Sequence, residues 1–258
     1  MKIIICIKQV PDKTDIKWTE NNTIQREGVE SITNPFVVYA IEKALQLKKE
    51  LKDVEITVLT MGPAQAETIL RKAIAVGCDK GILISDKKFA GADTYATAKT
   101  LASAIKSKVP EFDLILCGQF AVDGDTAQTA PELAEQLNIP QVTYTKEINR
   151  CDGRFAYCVR ELENGLETVR VEFPALICSL KSSKNVTRPN INGCINAQKA
   201  NIETFSMEDI GLTPEDTGIK GSPTFVSKAF RPLKNREACK FENSIEAIAD
   251  KIKEFGEI

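Results

Sequence analysis

Apolar runs alternate with helix-like segments along the first half of the chain. Four runs rich in Ile, Leu and Val are each followed by a segment in which apolar residues recur with helical spacing, and they cover residues 2–10, 54–61, 80–84 and 113–117. Because strands that alternate with helices pair in parallel through right-handed crossovers, the pattern predicts an α/β fold with a doubly wound parallel sheet. Any ligand crevice is expected at the carboxyl ends of these strands.

Helix starts in this region carry capping signals. Asn34 directly precedes Pro35, and Asp93 directly precedes Thr94, which predicts a helix start at each place. Residues 16–26, which lie before the first of these helices, have the turn and β-branched residues of a small hairpin.

A different pattern follows residue 140. Residues 142–148, 154–161 and 166–173 alternate polar and apolar side chains around two glycine-containing turns, which predicts a β-hairpin insertion. The apolar run at 175–180 is expected to return to the main sheet.

The C-terminal part of the chain has little periodicity until its last segment. Residues 181–236 contain several prolines and glycines, which predicts an extended arm. Asn243 and Glu246 have the spacing of a capping box before an amphipathic helix that ends at Phe255. The predicted organisation is an α/β domain at 1–183, followed by a C-terminal arm and helix at 184–258 that dock a partner protein.

Composition excludes several classes of function. The 258 residues include no histidine, which excludes Ser-His-Asp and Cys-His catalysis and His-ligated zinc or haem, so reaction chemistry is expected from a bound cofactor. The 34 basic and 36 acidic residues are interspersed, unlike those of a nucleic-acid clamp or a membrane anchor. The apolar run after Lys2 is too short for a signal peptide or a membrane span, so a cytoplasmic location is expected. The eight cysteines lack C-x-x-C spacing and are expected to be reduced core thiols.

Residues 112–132 carry the strongest functional signal. A buried strand at 114–117, a tight polar turn at 118–125 and a helix from Thr126 onward are predicted there. The free N–H groups of a first helical turn, at the positive end of the helix dipole, bind phosphate without a lysine. This arrangement predicts a nucleotide with its phosphate at the helix start. The alternative is that Asp125 and Thr126 only cap the helix.

Four short motifs, each at the end of a predicted strand or the start of a helix, resemble those of one family. They are residues 5–12 (ICIKQVPD), 34–36 (NPF), 61–65 (MGPAQ) and 118–129 (GQFAVDGDTAQT). With them the chain resembles the β subunit of electron transfer flavoproteins, in order and spacing, from Met1 to about residue 180. The resemblance implies a Rossmann-like, adenine-nucleotide-binding α/β domain paired with an α subunit that carries a redox FAD. The pair would exchange electrons with an acyl-CoA dehydrogenase or reductase.

Members of this family are of two kinds. In ordinary members the β subunit holds AMP as a structural ligand. In electron-bifurcating members the same pocket holds an FAD that takes a hydride from NADH and passes one of the two electrons to a low-potential carrier such as ferredoxin. Residues 123–128 and 90–97 resemble the bifurcating kind. Gly124 is expected to allow positive φ and a close backbone approach, and Thr94 and Thr97 are expected to place two hydroxyls at one helix start, unless they serve only as capping and solvated residues.

The resemblance implies a set of cofactor-binding residues and no catalytic or metal-binding residue. The set is Cys6, Asn34, Phe36, Met61, Asp93, Thr94, Thr97, Gly118, Gln119, Asp123, Gly124, Asp125, Thr126, Ala127, Gln128 and Thr129.

Other functions remain open at this point. Residues 181–191 stand where the family's dehydrogenase-docking loop lies but lack its usual Asn-Glu-Pro-Arg opening, so a solvated basic turn is the alternative there. A nucleotide-binding stress-type sensor or an ATP-using ligase of related fold is a further possibility. The ligase would require a glycine-rich loop directly after the first strand, and residues 8–12 contain no glycine.

Overall fold

The computed structural model describes residues 1–12, 31–182, 185–227 and 244–255, with side chains of the last helix to residue 253. The chain divides into two compact units, Met1–Val226 and Ser227–Ile258. The hairpin predicted at 16–26 and the capping residue Asn243 lie outside the described residues. In the second unit, Ile245–Phe255 forms the expected helix, with Ile245, Ile248 and Ile252 on one stripe.

Nine of the strands in the described residues form a single sheet in the first unit. In chain order the strands are β1 (Lys2–Cys6), β2 (Gln9–Pro11), β3 (Ser31–Thr33), β4 (Glu55–Met61), β5 (Lys80–Ile84), β6 (Leu114–Gly118), β7 (Gln141–Cys151), β8 (Phe155–Leu162), β9 (Gly165–Glu172), β10 (Ala175–Ser179) and β11 (Ile202–Phe205). The order across the sheet is β11-β5-β4-β1-β6-β10-β7-β8-β9, and β2 pairs only with β3. The pairs from β11 to β7 are parallel, which confirms the predicted sheet.

Helices cover both faces of the parallel part. They are α1 (Pro35–Glu50), α2 (Glu67–Val76), α3 (Thr94–Lys108), α4 (Thr129–Leu137) and α5 (Ile191–Lys199). The helix Ile245–Phe255 of the second unit is called α6. Side chains of a strand alternate between the two faces, so Ile3 and Ile5 pack with α1 and α2 whereas Ile4 packs with α3 and α4. The fold is therefore doubly wound, as predicted.

The predicted hairpin insertion is confirmed. β7, β8 and β9 form an antiparallel meander at one end of the sheet. β10 then returns between β6 and β7 and pairs in parallel with both.

The first strand and the C-terminal arm differ from the sequence prediction. The run at 2–10 is two strands, because β2 leaves the main sheet to pair with β3. Residues 185–226 are not an extended arm: β11 pairs with the otherwise open edge of β5, and α5 packs closely on α2, where a Cβ on Gly193 would lie 2.1 Å from Ala75 O. These contacts place residues 185–226 in the first compact unit.

Within the described residues, no helix combines the length and apolarity needed to cross a bilayer.

Candidate functional site

Three strands end side by side at the carboxyl end of the parallel sheet, where the ligand crevice is predicted. This end of the sheet is called its carboxyl edge below. Cys6 of β1, Cys117 of β6 and Cys178 of β10 stand in register across it. Helices α3 and α4 begin in the connections that follow the carboxyl ends of β5 and β6, and α1 begins directly after β3. The first-turn N–H groups of a helix lack intrahelical partners and carry the positive end of its dipole, so this edge favours an anionic ligand.

Asn34 joins the start of α1 to the turn after β6. It occupies the N-cap position as predicted, but its side chain makes no capping hydrogen bond. Instead Nδ2 donates to Phe120 O at 2.6 Å, and Oδ1 accepts from Val122 N at 3.4 Å. Since Asn34 is buried, it acts on the loop and not on solvent.

Gly118 allows β6 to approach α1. A Cβ there would lie 3.0 Å from Phe36 Cβ and from Val37 N. The ring of Phe36 meets that of Phe120 edge-on at 5.3 Å between centroids, and Lys181 Nζ lies 5.0 Å from the Phe36 ring centre. The aromatic groups and the cation form one wall of the site.

Gln119 serves the scaffold. Its side chain is buried, and Oε1 accepts from Tyr144 N at 2.6 Å, while its backbone N donates to Ser179 O at 2.9 Å. Both bonds fix the end of β6 against β10 and β7. Gln119 is among the residues expected to bind the cofactor, and the structure shows a protein partner for its Oε1 atom.

Lys8 and Asp123 form an ion pair across the loop. Lys8 Nζ lies 2.7 Å from Asp123 Oδ1, and the Asp123 side chain is only 2 % exposed. A buried carboxylate needs such a partner, because desolvation penalises its charge. The ammonium therefore offsets an acidic group that would repel a phosphate.

The loop before α4 is longer than predicted. The helix begins at Thr129 with Gln128 at the N-cap position, so the prediction of a helix from Thr126 is wrong. Positive φ values occur at Asp125 (50°) and Ala127 (56°) and not at Gly124, contrary to expectation. Because a right-handed helix cannot include residues with a left-handed backbone, α4 begins only after Asp125 and Ala127.

This geometry excludes the simple capping alternative. Asp125 and Thr126 lie outside the helix, and both are exposed.

The start of α3 is built from the predicted residues, but their side chains bind protein groups. Asp93 is the N-cap, and its Oδ1 accepts from Ala96 N at 3.0 Å. Its Oδ2 accepts from the N and Oγ1 of Thr224 at 3.0 and 2.8 Å. Burial acts to raise the pKa of Asp93, yet these hydrogen bonds outweigh it, and the pKa is lowered. Thr97 is half-buried in the next turn of the helix.

Thr94 links the starts of α3 and α4. Its Oγ1 donates to Glu132 Oε1 at 3.1 Å, which brings the first turns of the two helices together. The other carboxylate oxygen of Glu132 is buried without a hydrogen-bond partner in the described part of the chain. Burial raises the pKa of Glu132, and the Asp93 charge adds to this effect.

Two further hydroxyls at the carboxyl edge are buried without a partner among the described residues. They belong to Thr60, next to the end of β4, and Ser179, at the end of β10 opposite Gly118. Buried polar groups are normally paired, so orphaned ones at a strand edge fit a ligand that donates or accepts there. Residue type alone gave no signal for either.

Cys6 and Met61 end neighbouring strands, and both are half-buried. A hydrogen bond with Cys6, together with burial, raises the pKa of the Cys117 thiol, and burial raises that of Cys178 to about 12. These thiols are protonated and unreactive at neutral pH. The described residues contain no group of His, Cys, Asp or Glu side chains suited to a metal ion.

Two cavities lie away from this edge. One of about 580 Å³ is lined by the end of α2 and by α5, and one of about 190 Å³ lies between α1 and β7. None of the predicted site residues lines either cavity.

Comparison with known proteins defines the family. A family model described as "Electron transfer flavoprotein domain" matches residues 21–210. The chain belongs to the electron transfer flavoprotein family. This confirms the family resemblance of the four sequence motifs.

Relatives in this family align along most of their length. The chain is 42% identical over 233 residues to the caffeyl-CoA reductase-Etf complex subunit CarD of Acetobacterium woodii, covering 90% of this chain and 88% of that one. It is 40% identical over 247 residues to the electron transfer flavoprotein subunit beta of Thermoanaerobacterium thermosaccharolyticum, covering 95% and 94%. It is also 40% identical over 239 residues to the acryloyl-CoA reductase electron transfer subunit gamma of Anaerotignum propionicum, covering 90% and 89%.

The electron transfer flavoprotein fold thus places most of the predicted residues at the carboxyl edge, where their structural roles differ from one another. Asn34, Asp93 and Gln119 hold the backbone, while residues 124–129 present main chain and hydroxyls. Sequence reasoning missed Lys8, Glu132 and Thr224 as parts of the site, because their partners are distant in sequence.

Proposed function

We propose that this chain is the β subunit of a heterodimeric electron transfer flavoprotein that binds FAD at the carboxyl edge of its sheet. In this proposal the protein oxidises NADH and divides the electrons between an acyl-CoA dehydrogenase or reductase and ferredoxin. One observation carries the choice of FAD: the Thr94–Glu132 hydrogen bond sets the first turns of α3 and α4 side by side. Two adjacent sets of free N–H groups suit a diphosphate better than a monophosphate.

The residues of the chain would bind and orient the cofactor. The backbone of residues 124–129 approaches the phosphates, and the hydroxyls of Thr97, Thr126 and Thr129 supply further donors. Lys8 forms an ion pair with Asp123 and so offsets its negative charge, and Lys181 lies beside the Phe36 ring. When bound, FAD supplies the chemistry of hydride transfer and of one-electron transfer, which a chain without histidine lacks.

The names of two relatives support the choice of partner. One relative is named as part of a caffeyl-CoA reductase complex and another as an electron transfer subunit of an acryloyl-CoA reductase. Both names refer to reductases of CoA thioesters. We infer an acyl-CoA dehydrogenase or reductase as acceptor, an α subunit with its own FAD as the permanent partner, and the cytoplasm as location.

An AMP-binding β subunit without bifurcation is the second candidate. It is favoured by the engagement of Asp93 with Thr224, since Asp93 was among the side chains expected to make the additional contacts to FAD. In this case the nucleotide is structural and the redox flavin belongs to the partner.

The bound nucleotide distinguishes the two candidates. The chain is co-purified with its α subunit, and the nucleotide released by heat is separated by chromatography and quantified by flavin absorbance. The proposal predicts FAD on both subunits and no AMP. Release of AMP with a single FAD per heterodimer would establish the second candidate.

An anaerobic assay tests the reaction separately. Oxidation of NADH by the complex should require ferredoxin and a CoA thioester acceptor together. Full activity with the thioester alone would contradict bifurcation while leaving FAD binding intact.

A further inference from the structure

Residues 213–224, here called the strap, bind the loop and helix start that lead into α3. Lys99 Nζ of α3 lies 2.7 Å from Asp216 Oδ1. Asp93 N donates to Ser222 Oγ at 2.8 Å, and Ser222 Oγ donates to Gly218 O at 2.6 Å. The strap therefore contacts α3 at its N-cap and again one to two turns along the helix.

Glycines on both sides allow the strap to lie against the loop. Gly218 has φ +57°, and a Cβ on it would lie 2.1 Å from Lys88 O. Gly91 has φ +76°, and a Cβ on it would lie 2.5 Å from Ile219 Cγ1. Neither position accepts a side chain without movement of its neighbours.

Thr224 completes the arrangement at the N-cap. Its N and Oγ1 both donate to Asp93 Oδ2, while Asp93 Oδ1 accepts from Ala96 N in the first turn of α3. The carboxylate is thus held from one side by the strap and caps the helix on the other. The orientation of the first turn of α3 depends on a residue 131 positions away in sequence.

We propose that Thr224 and Ser222 are positioning residues for the nucleotide site, acting through Asp93 on the free N–H groups of α3. The inference rests on the proposed function, because it assigns those groups to the phosphates of FAD. A strap that fixes the helix start lowers the entropy cost of nucleotide binding. Docking of the strap on α3 and binding of the nucleotide therefore favour each other reciprocally.

The test measures FAD binding to the full-length chain by quenching of flavin fluorescence. Thr224→Val removes the hydroxyl donor, and Thr224→Ser restores it. Thr204→Val makes the same change at an exposed position of β11. We expect the dissociation constant for FAD to rise about tenfold in Thr224→Val and to remain near wild type in Thr224→Ser and Thr204→Val.

Hydrogen exchange of the amides at 93–98, measured without nucleotide, provides a second readout. It should quicken in Thr224→Val and not in Thr204→Val. Wild-type affinity and wild-type exchange in Thr224→Val would overturn the inference. If the wild-type chain binds no FAD, the proposed function fails, whereas the exchange comparison still decides whether the strap orders α3.

Discussion

The side-chain amide of Asn34 donates to the carbonyl oxygen of Phe120 at 2.6 Å, across 86 positions of sequence. This bond ties the start of α1 to the loop that carries most of the candidate site. A residue that the sequence marks as a helix cap therefore holds the loop after β6.

Replacing Asn34 tests this role. In Asn34→Ala the part-buried Phe120 carbonyl loses its donor, so we predict a loss of about 1–3 kcal/mol in the free energy of unfolding and weaker nucleotide retention. Urea denaturation measures the first effect, and flavin content after dialysis measures the second. Asn192→Ala, at an exposed position of α5, should change stability by less than about 0.5 kcal/mol. Equal stability of the two variants would contradict the account.

Substitutions of Gly118 and Gly124 are expected to distinguish effects on folding from effects on binding. A Cβ at Gly118 would press on the backbone of α1, whereas at Gly124 the nearest atom is Lys8 Nζ at 4.0 Å. We predict that Gly118→Ala destabilises the fold by about 1–3 kcal/mol, and that Gly124→Ala leaves stability within about 0.5 kcal/mol but weakens FAD binding. Thermal unfolding and fluorescence titration of both variants test this. Unchanged FAD affinity in Gly124→Ala would remove this glycine from the site.

The ion pair of Lys8 and Asp123 should contribute to stability despite the partly exposed lysine. A double-mutant cycle with Lys8→Met and Asp123→Asn is expected to give a coupling free energy of about 1–2 kcal/mol, because the carboxylate is buried and hydrogen-bonded. The coupling should fall at high salt, since the Lys8 side chain is partly exposed and salt screens its charge. Additive effects of the two substitutions would show that the pair does not act as a unit.

Glu132 should make stability depend on pH. Its pKa is raised in the folded chain, so the folded state binds a proton more tightly than the unfolded state does. Folding is unaffected below the unfolded pKa and is penalised as pH rises through the folded value. Glu132→Gln is therefore predicted to raise the free energy of unfolding at pH 7, with no gain at pH 4.

The control for this prediction is Glu135→Gln, an exposed carboxylate on the same helix. As a surface substitution it should change the free energy of unfolding by less than about 0.5 kcal/mol. The same gain at both pH values in Glu132→Gln would show that charge is not the cause.

Sequence alone predicts the regular core well, for a physical reason. The strand Lys80–Ile84 and the helix start at Thr94 agree with the prediction because a short apolar run and an aspartate cap are local signals. The parallel sheet then follows from the order of elements.

The loop and the arm were predicted less well because long-range contacts determine them. Positive φ at Asp125 and Ala127 delays α4 to Thr129, and no local pattern marks these residues. β11 is a strand because it pairs with the edge of β5. The bonds from Asn34 to Phe120 and from Thr224 to Asp93 join distant segments, so the sequence reveals the residues without their partners.

Hydrogen exchange of the full-length chain with and without FAD tests the central claim most directly. We predict that FAD slows exchange of the main-chain amides at 124–130 and at 94–97, with no change at 74–79 and 190–200, which line the larger cavity. Protection confined to that cavity, or no protection at either helix start, would contradict a flavin dinucleotide held by main-chain amides at the carboxyl edge of the sheet.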